Sequence, residues 1–366
     1  MIFSNRHKRL DSRYKELSFN TEEPEVKEHC KIVFEIGPTH QGEESAMELI
    51  KIAKAAGADA VKVQILNAER LVKDSKQMFT YGILNPTGEV VYIEESLRKI
   101  LERRELAKIS WERIAQYAKS QEIEFYATVT EIDDIEWINS IYCQSIKIAS
   151  GDLTFHPLLE AASQTGKNIQ IDTGNATIDE ITKAIEIIRK SGNNDIVVHH
   201  CPPGYPAVDE KVHLSTIPFL RDELGVKVAF SDHSLGWHMD IAALSLGASI
   251  LEKTLTLDRS IRSPEHVFSL EPREAALFVN DIRSVEKALL SGARVVSAEE
   301  SIAAKPIRRS GYYKISLNPG TVLTLDDVDF QRPGIYLTPD ETISLIGKKL
   351  AIGVKKGQQV QIEHFN

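Results

Sequence analysis

The sequence predicts an α/β fold: a (β/α)8 TIM barrel followed by a small β-rich domain. Three observations carry that expectation. Eight short β-branched runs recur along the chain, seven of them separated from the next by helix-like segments. Each run ends in polar residues suited to chemistry, as a barrel requires, because the C-terminal ends of its strands converge on one mouth. Near Ala303 the texture changes to short strands with turn signals and no long helix, which reads as a separate small domain.

The elements follow in order. Residues 1–30 are polar, hold no strand-like run and are expected to form an N-terminal arm. The barrel is expected over 31–291, a linker over 292–304 and the small domain over 305–366. The first strand, KIVFEIG, carries Glu35, with His40 just beyond. GEESAMELIKIAKAAGA repeats apolar residues at helical spacing and ends in a glycine-containing stop. DAVKVQI carries Lys62 and Gln64. The connection from Asn67 to about Arg104 is too long for a plain βα unit, and long βα loops on a barrel usually serve as lids or substrate loops. The helix ELAKISWERIAQYAKSQ leads to IEFYATVTE, with Thr128, and then to SIKIASGD, with Lys147, Ser150 and Asp152. NIQIDTGN carries Asp172 and Thr173 and is followed by the helix IDEITKAIEIIRKSG. DIVVHHC carries His200, and VKVAFSDHS carries Ser231, Asp232 and His233. The helix MDIAALSLGA precedes ASILEKT, with Glu252 and Lys253, and EPREAALFVNDIRSVEKALLSG closes the barrel. NPG, KKG and RPG punctuate the tail.

Composition narrows the function. A net charge of -9 argues against a nucleic-acid surface but leaves a small anionic substrate open, since lysines clustered at one mouth attract an anion whatever the global charge. No run approaches the ~20 apolar residues of a membrane span, and the opening MIFSNRHKRLDSRYKELSFN lacks the apolar core of a signal peptide. A soluble, cytoplasmic protein is expected. Cys30, Cys143 and Cys201 have no metal-type spacing and make no disulfide framework, so they are expected to be free thiols.

Lys62 and Lys147 sit inside apolar strands, where an ammonium is costly unless it meets an anion. One reading is phosphate or carboxylate binding, with hydroxyl donors from Thr128, Ser150 and Ser231. A buried salt bridge to Glu35 or Glu252 is a second reading, and a Schiff-base lysine a third. His233, beside Asp232, is a candidate metal ligand or general base; His200 and His40 are weaker ones. Glu35, Asp152, Asp172, Asp232, Glu252 and Glu265 should fall near one rim, with Asp152 best placed to orient a hydroxyl or a water.

EIGPTHQG, GADAVKVQ, KIASGD, HPLLEAASQTGKNIQIDTGN, HCPPGYPA, FSDHSLG and RSPEHVFSLEP resemble, in order and spacing, the motifs of the sialic acid (N-acetylneuraminate) synthase family. The tail after Ala303 resembles that family's antifreeze-like (SAF) domain, RPG included. The resemblance covers nearly everything after residue 30. It implies condensation of phosphoenolpyruvate with an amino sugar such as N-acetylmannosamine, giving a 3-deoxy-nonulosonic acid and phosphate. It implies that Lys62, Thr128, Lys147, Ser150 and Ser231 hold phosphoenolpyruvate, and that Gln64, Tyr205 and Glu265 face the sugar. Glu35, Asp152 and His233 are the expected catalytic groups. Arg332 would reach the sugar from the partner subunit of a domain-swapped homodimer. The resemblance also implies a divalent metal, Mn or Mg, held by two histidines. The first is His233, but the second position reads Thr254, a poor ligand for a transition ion. Further departures are Thr39 for the asparagine of the family's NH, Pro203 for an asparagine, Asp172 for a serine and Asp152 for a glutamate. These leave open a changed metal site, metal-free chemistry, or a catalytically impaired sugar-acid-binding paralogue.

Overall fold

A computed structural model of the protein describes residues 29–289 and 296–365. All of the expected N-terminal arm except His29 and Cys30 lies outside the described residues. The chain divides into two units, Met1–Leu290 and Ser291–Asn366.

In the first unit all eight predicted strands are staves of one closed parallel barrel. They are β1 (Lys31–Glu35), β2 (Ala60–Ile65), β5 (Glu124–Val129), β6 (Ser145–Ile148), β7 (Asn168–Asp172), β8 (Ile196–His200), β9 (Lys227–Asp232) and β10 (Ile250–Thr254). They close in the order β1-β10-β9-β8-β7-β6-β5-β2. Side chains alternate across each stave, so one parity packs on the helices and the other fills the bore. Ile32, Phe34, Val61, Val63, Phe125, Ile146, Ile148 and Ile171 belong to the large buried core. Val33, Ala60, Tyr126, Val197, Ala229 and Ile250 form a separate buried cluster of the opposite parity. Two residues further along the same staves come Glu35, Lys62, Thr128, His199, Ser231 and Glu252. Along these staves the bore thus passes from a mostly apolar band to an ionic layer near the mouth.

The outer helices follow their sequence signals. Ile178–Lys190 begins with a reciprocal cap between Thr177 and Glu180 and buries Ile181, Ala184, Ile185, Ile187 and Ile188 on one face. The long connection after β2 holds an antiparallel hairpin of β3 (Met78–Leu84) and β4 (Val90–Ser96), which periodicity alone did not reveal. Its turn is closed by the Asn85 carboxamide, which accepts from the Thr87 and Glu89 amides, and by Gly88 at φ 82°. The Gly82 amide donates to the Tyr205 carbonyl at 2.7 Å, tying the hairpin to the loop after β8. Among the described residues no helix is long and apolar enough to cross a membrane.

The second unit is β-rich, with β11 (Ser310–Tyr313) antiparallel to β12 (Val328–Gln331) and isolated bridges such as Leu317↔Val354 and Val322↔Lys349. Its core gathers Tyr313, Leu323, Val328, Leu345, Leu350, Val354 and Val360. Residues expected as linker are partly helical: Ala298–Ile307 forms a helix capped by Ser297 and Glu300. Arg332 is exposed in this unit.

Candidate active site

Strand register brings the predicted side chains together at the barrel mouth. Glu35 lies beside Lys62 and Thr254, Thr128 beside Lys147, Asp172 beside His199, and Ser231 beside Glu252. Glu252 is the hub. Its Oε1 accepts from Lys62 Nζ at 2.7 Å and from Lys147 Nζ at 2.8 Å, and its Oε2 accepts from Lys147 at 2.9 Å. Lys62 also reaches Glu35 Oε2 at 2.8 Å. Burial disfavours every one of these charges, yet the two ammoniums hold the Glu252 carboxyl well below the carboxylate range. Burial likewise opposes the Lys62 ammonium, which Glu252 and Glu35 hold well above the ordinary lysine value.

Lys147 is fully buried. Beyond Glu252, it donates to Ser231 Oγ at 2.9 Å and lies 3.1 Å from Asp172 Oδ1. Asp172 Oδ1 is also 3.3 Å from Ser231 Oγ. The Asp172 carboxylate therefore sits between an ammonium and a hydroxyl, as an anionic oxygen of a guest would. The lysines are inside the bore as expected, but protein carboxylates engage both of them. Two ammoniums face three carboxylates, Glu35, Asp172 and Glu252.

Above this layer opens a cavity of about 550 Å³. Glu35, Lys62, Gln64, Thr128, Ser150, Asp152, Asp172, Tyr205, His233, Thr254 and Glu265 all line it. Lys147 and Ser231 do not line it, but both contact Asp172, which does. Asp152 closes the short turn Ser150–Asp152 after β6, and burial followed by the nearby Glu131 charge pushes its carboxyl up to about 6. Thr128 Oγ1 is buried with no partner among the described residues. His233 packs against the rings of Tyr205 and Phe268 at 4.9 and 5.3 Å, and its Nδ1 is also buried with no partner among the described residues. Burial pushes that imidazole down to about 4, so it is neutral. Gly37 makes a close approach that a Cβ would block, because such an atom would stand 2.5 Å from Gln64 N and 2.9 Å from Glu35 Oε1.

Two residues of the barrel mouth escaped sequence reading. His199, not His200, faces the bore. Its Nε2 donates to Gln170 Oε1 at 2.8 Å, and its Nδ1 accepts from Ser231 Oγ at 2.9 Å or from Lys147 Nζ at 3.3 Å. Burial and then the Lys147 charge push it down to about 3, consistent with that neutral tautomer. His200 has the outward parity, bonds the Val212 carbonyl at 2.6 Å and stacks on Phe230. Lys253 and Asp232 share that outward parity and pair with each other, although Asp232 also lines part of the cavity. His40 packs edge-on against Trp111. The second missed residue is Arg104, buried at the end of the long connection. Its guanidinium donates to Gln64 Oε1 at 3.2 Å and lies 3.6 Å from Glu265 Oε1. Parity could have identified His199; nothing in the pattern around Arg104 marks it.

The residues here do not fit a two-histidine metal centre. His233 offers one imidazole and Thr254 only a hydroxyl. No cluster of three or more histidine, cysteine or acidic side chains with metal-binding geometry occurs among the described residues.

Similarity to known proteins agrees with the fold. N,N'-diacetyllegionaminic acid synthase of Legionella pneumophila is 31% identical over 92% of this chain and 94% of its own. N-acetylneuraminate-9-phosphate synthase of Homo sapiens is 28% identical over 91% of this chain and 92% of its own. The crystal structure of N-acetylneuraminic acid (sialic acid) synthetase from Leptospira borgpetersenii serovar Hardjo-bovis, in complex with citrate, superposes with a TM-score of 0.65 at 27% identity. It covers 75% of this chain and 90% of that one. The family model described as the NeuB family matches residues 49–294, and the chain belongs to the NeuB family.

Proposed function

We propose that this protein condenses phosphoenolpyruvate with an N-acyl amino sugar, N-acetylmannosamine or a related hexosamine such as a 2,4-diacetamido sugar. The products are a sialic-acid-like 3-deoxy-nonulosonic acid and phosphate. The observation that carries the reading is the stack of ionic and hydroxyl groups beneath a 550 Å³ cavity at the mouth of a NeuB-family barrel. Thr128, with its spare hydroxyl, Ser150 and Lys62 receive the enol's acidic groups, and Lys147 and Ser231 join them when Asp172 gives way. Gln64, Tyr205 and Glu265 hold the sugar with its aldehyde towards C3 of the enol, and holding both reactants in register supplies much of the acceleration.

A C–C bond forms from C3 of the enol to the aldehyde carbon, and the carbonyl electron pair moves onto the aldehyde oxygen. Water adds at C2 and loses a proton to a base, the alkoxide gains a proton, and phosphate leaves by C–O cleavage. Asp152, with a carboxyl poised near 6, is the group for those proton transfers. Glu35, bonded to Lys62, Gln64 and the Gly37 amide, holds the floor of the site in register. His233 donates to the aldehyde oxygen as a neutral imidazole.

The protein is proposed to be cytoplasmic, to carry an SAF domain over 305–366, and to work as a domain-swapped homodimer in which Arg332 of one chain reaches the sugar held by the other. The test is phosphate release from phosphoenolpyruvate with a panel of hexosamines, with product mass measured. Product with at least one acceptor supports the reading; none with any acceptor, with or without manganese, removes it. Asp172 in the anion slot and the missing second imidazole favour a second reading, a paralogue that binds a sugar acid without turnover, which calorimetry on a protein inactive in the same panel would reveal.

A further inference from the structure

The cavity wall holds two cations, Lys62 and Arg104. Glu35 and Glu252 claim the first. The second is differently placed. Arg104 comes from no barrel strand; the hairpin connection after β2 delivers it to the mouth. It is 93% buried by its 7% exposure, and its Nε–H has no partner among the described residues. One guanidinium nitrogen is spent on the Gln64 carboxamide at 3.2 Å, and the Glu265 carboxylate at 3.6 Å makes only a loose pair. Glu265 itself stands on a left-handed backbone at φ 79°, the kind of local cost that persists where a site demands it. Burial lifts its carboxyl to about 7 against the opposing pull of Arg104, so it offsets the guanidinium only in part near neutrality. The same wall carries His233 and Thr254, where a metal-binding pair would need two imidazoles.

We infer that Arg104 is the cation that meets the acceptor's carbonyl oxygen, and that this chain uses its own guanidinium where a two-histidine metal ion would otherwise serve. The inference rests on the condensation reading. As the C–C bond forms, the carbonyl electron pair becomes an alkoxide, and a fixed guanidinium N–H stabilises that charge without reorganising. The proton the alkoxide takes up balances the one released by the water that adds at C2. A planar fork anchored at one end by Gln64 keeps its other donors aimed at the sugar, which the point charge of a lysine does not do.

The experiment uses the full-length protein with three variants, Arg104→Met, Arg104→Lys and Thr254→His. Manganese is titrated calorimetrically into each, and metal content is measured after dialysis against it. The wild type is expected to take up no stoichiometric manganese, while Thr254→His gains a site. Phosphate release is then followed in excess chelator. Wild-type turnover should persist. Arg104→Met should lose about a hundredfold or more in kcat/KM for the sugar, as loss of one oxyanion donor does, while phosphoenolpyruvate affinity and the unfolding midpoint hold. Arg104→Lys should recover part of the loss, and added guanidinium should partly restore Arg104→Met. Turnover abolished by chelator and restored by manganese overturns the inference and leaves the condensation reading standing, as does an Arg104→Met variant with full activity. If no acceptor turns over at all, the condensation reading fails, and stoichiometric manganese binding by the wild type separately overturns the claim of a metal-free mouth.

Discussion

Replacing Asp172 by Asn should tighten phosphoenolpyruvate. Asp172 Oδ1 lies 3.1 Å from Lys147 Nζ and 3.3 Å from Ser231 Oγ, so it competes with an incoming anionic oxygen for the same two donors. Two unit charges about 6 Å apart at an effective dielectric of about 20 repel by about 3 kcal/mol. Part of that gain is lost, because the Lys147 ammonium gives up one of its partners. Lys147 keeps Glu252 at 2.8 and 2.9 Å, so its position survives the change. A net gain of about 1.4 kcal/mol, or tenfold in Kd, is the expected lower bound. Calorimetric titration of phosphoenolpyruvate into wild type and variant reads it, with Asp179→Asn, at an exposed position on the helix Ile178–Lys190, as the control for a general change of net charge. Because the groups are buried, the difference should outlast added salt that erases any effect of the control. Unchanged or weakened binding in Asp172→Asn refutes the claim that this carboxylate occupies the anion slot.

Other outcomes follow from single contacts. Thr128→Val removes a buried hydroxyl that has no partner among the described residues, so thermal stability should hold or rise while phosphoenolpyruvate affinity falls about tenfold, the worth of a hydrogen bond to a charged group; a stability loss without an affinity loss contradicts it. Glu265 has a folded pKa of about 7 against an ordinary 4.5, so the folded state keeps a proton that the unfolded chain releases between those values. Stability contributed by that proton is present below pH 4.5 and is lost as pH rises to 7, by roughly 3 kcal/mol at most; Glu265→Gln should flatten that slope in calorimetric unfolding, and an unaltered slope counts against the burial argument. Gly37→Ala drives a Cβ into the Gln64 backbone and the Glu35 carboxylate, and denaturant unfolding should show a loss of about 1–3 kcal/mol together with reduced turnover; a variant as stable and active as wild type shows that the approach has slack.

The barrel was legible because its evidence is redundant: eight runs, each with the same alternation and each ending in chemistry, point to one topology. The inward parity of Lys62, Lys147, Ser231 and Glu252 follows from that alternation alone. The same rule selects His199 over His200, because His199 shares the parity of Val197 and the register of Asp172. What the ammoniums face was less accessible. Whether a buried lysine waits for a guest or is held by the protein depends on separations of about 3 Å across strands far apart in sequence, such as Lys147 and Glu252 at 105 residues. The hairpin β3–β4 lay within a connection recognised as too long, yet its one fully buried side chain, Tyr81, bonds across the hairpin to Glu95, and the half-exposed residues around it give no clean period. Arg104 was unreadable because its partners Gln64 and Glu265 lie on other elements.

These placements divide the labour of the mouth between scaffold and insertion. The staves hold a fixed ionic layer in which every charge is desolvated and paired, an arrangement that costs stability unless all partners are present, and so resists drift in any single member. Such a layer cannot easily be retuned for a new acceptor, because changing Lys62 or Glu252 strands a buried charge. The hairpin connection is under no such constraint. It contacts the barrel at a few points, among them the Gly82 amide on the Tyr205 carbonyl and Arg104 on Gln64, and it ends beside the residues expected to face the sugar. A change of acceptor or of electrophile is therefore cheapest in that insertion. Thr254 on a stave and Arg104 at the end of the hairpin connection thus place the missing imidazole and the proposed replacement cation on different elements of one cavity.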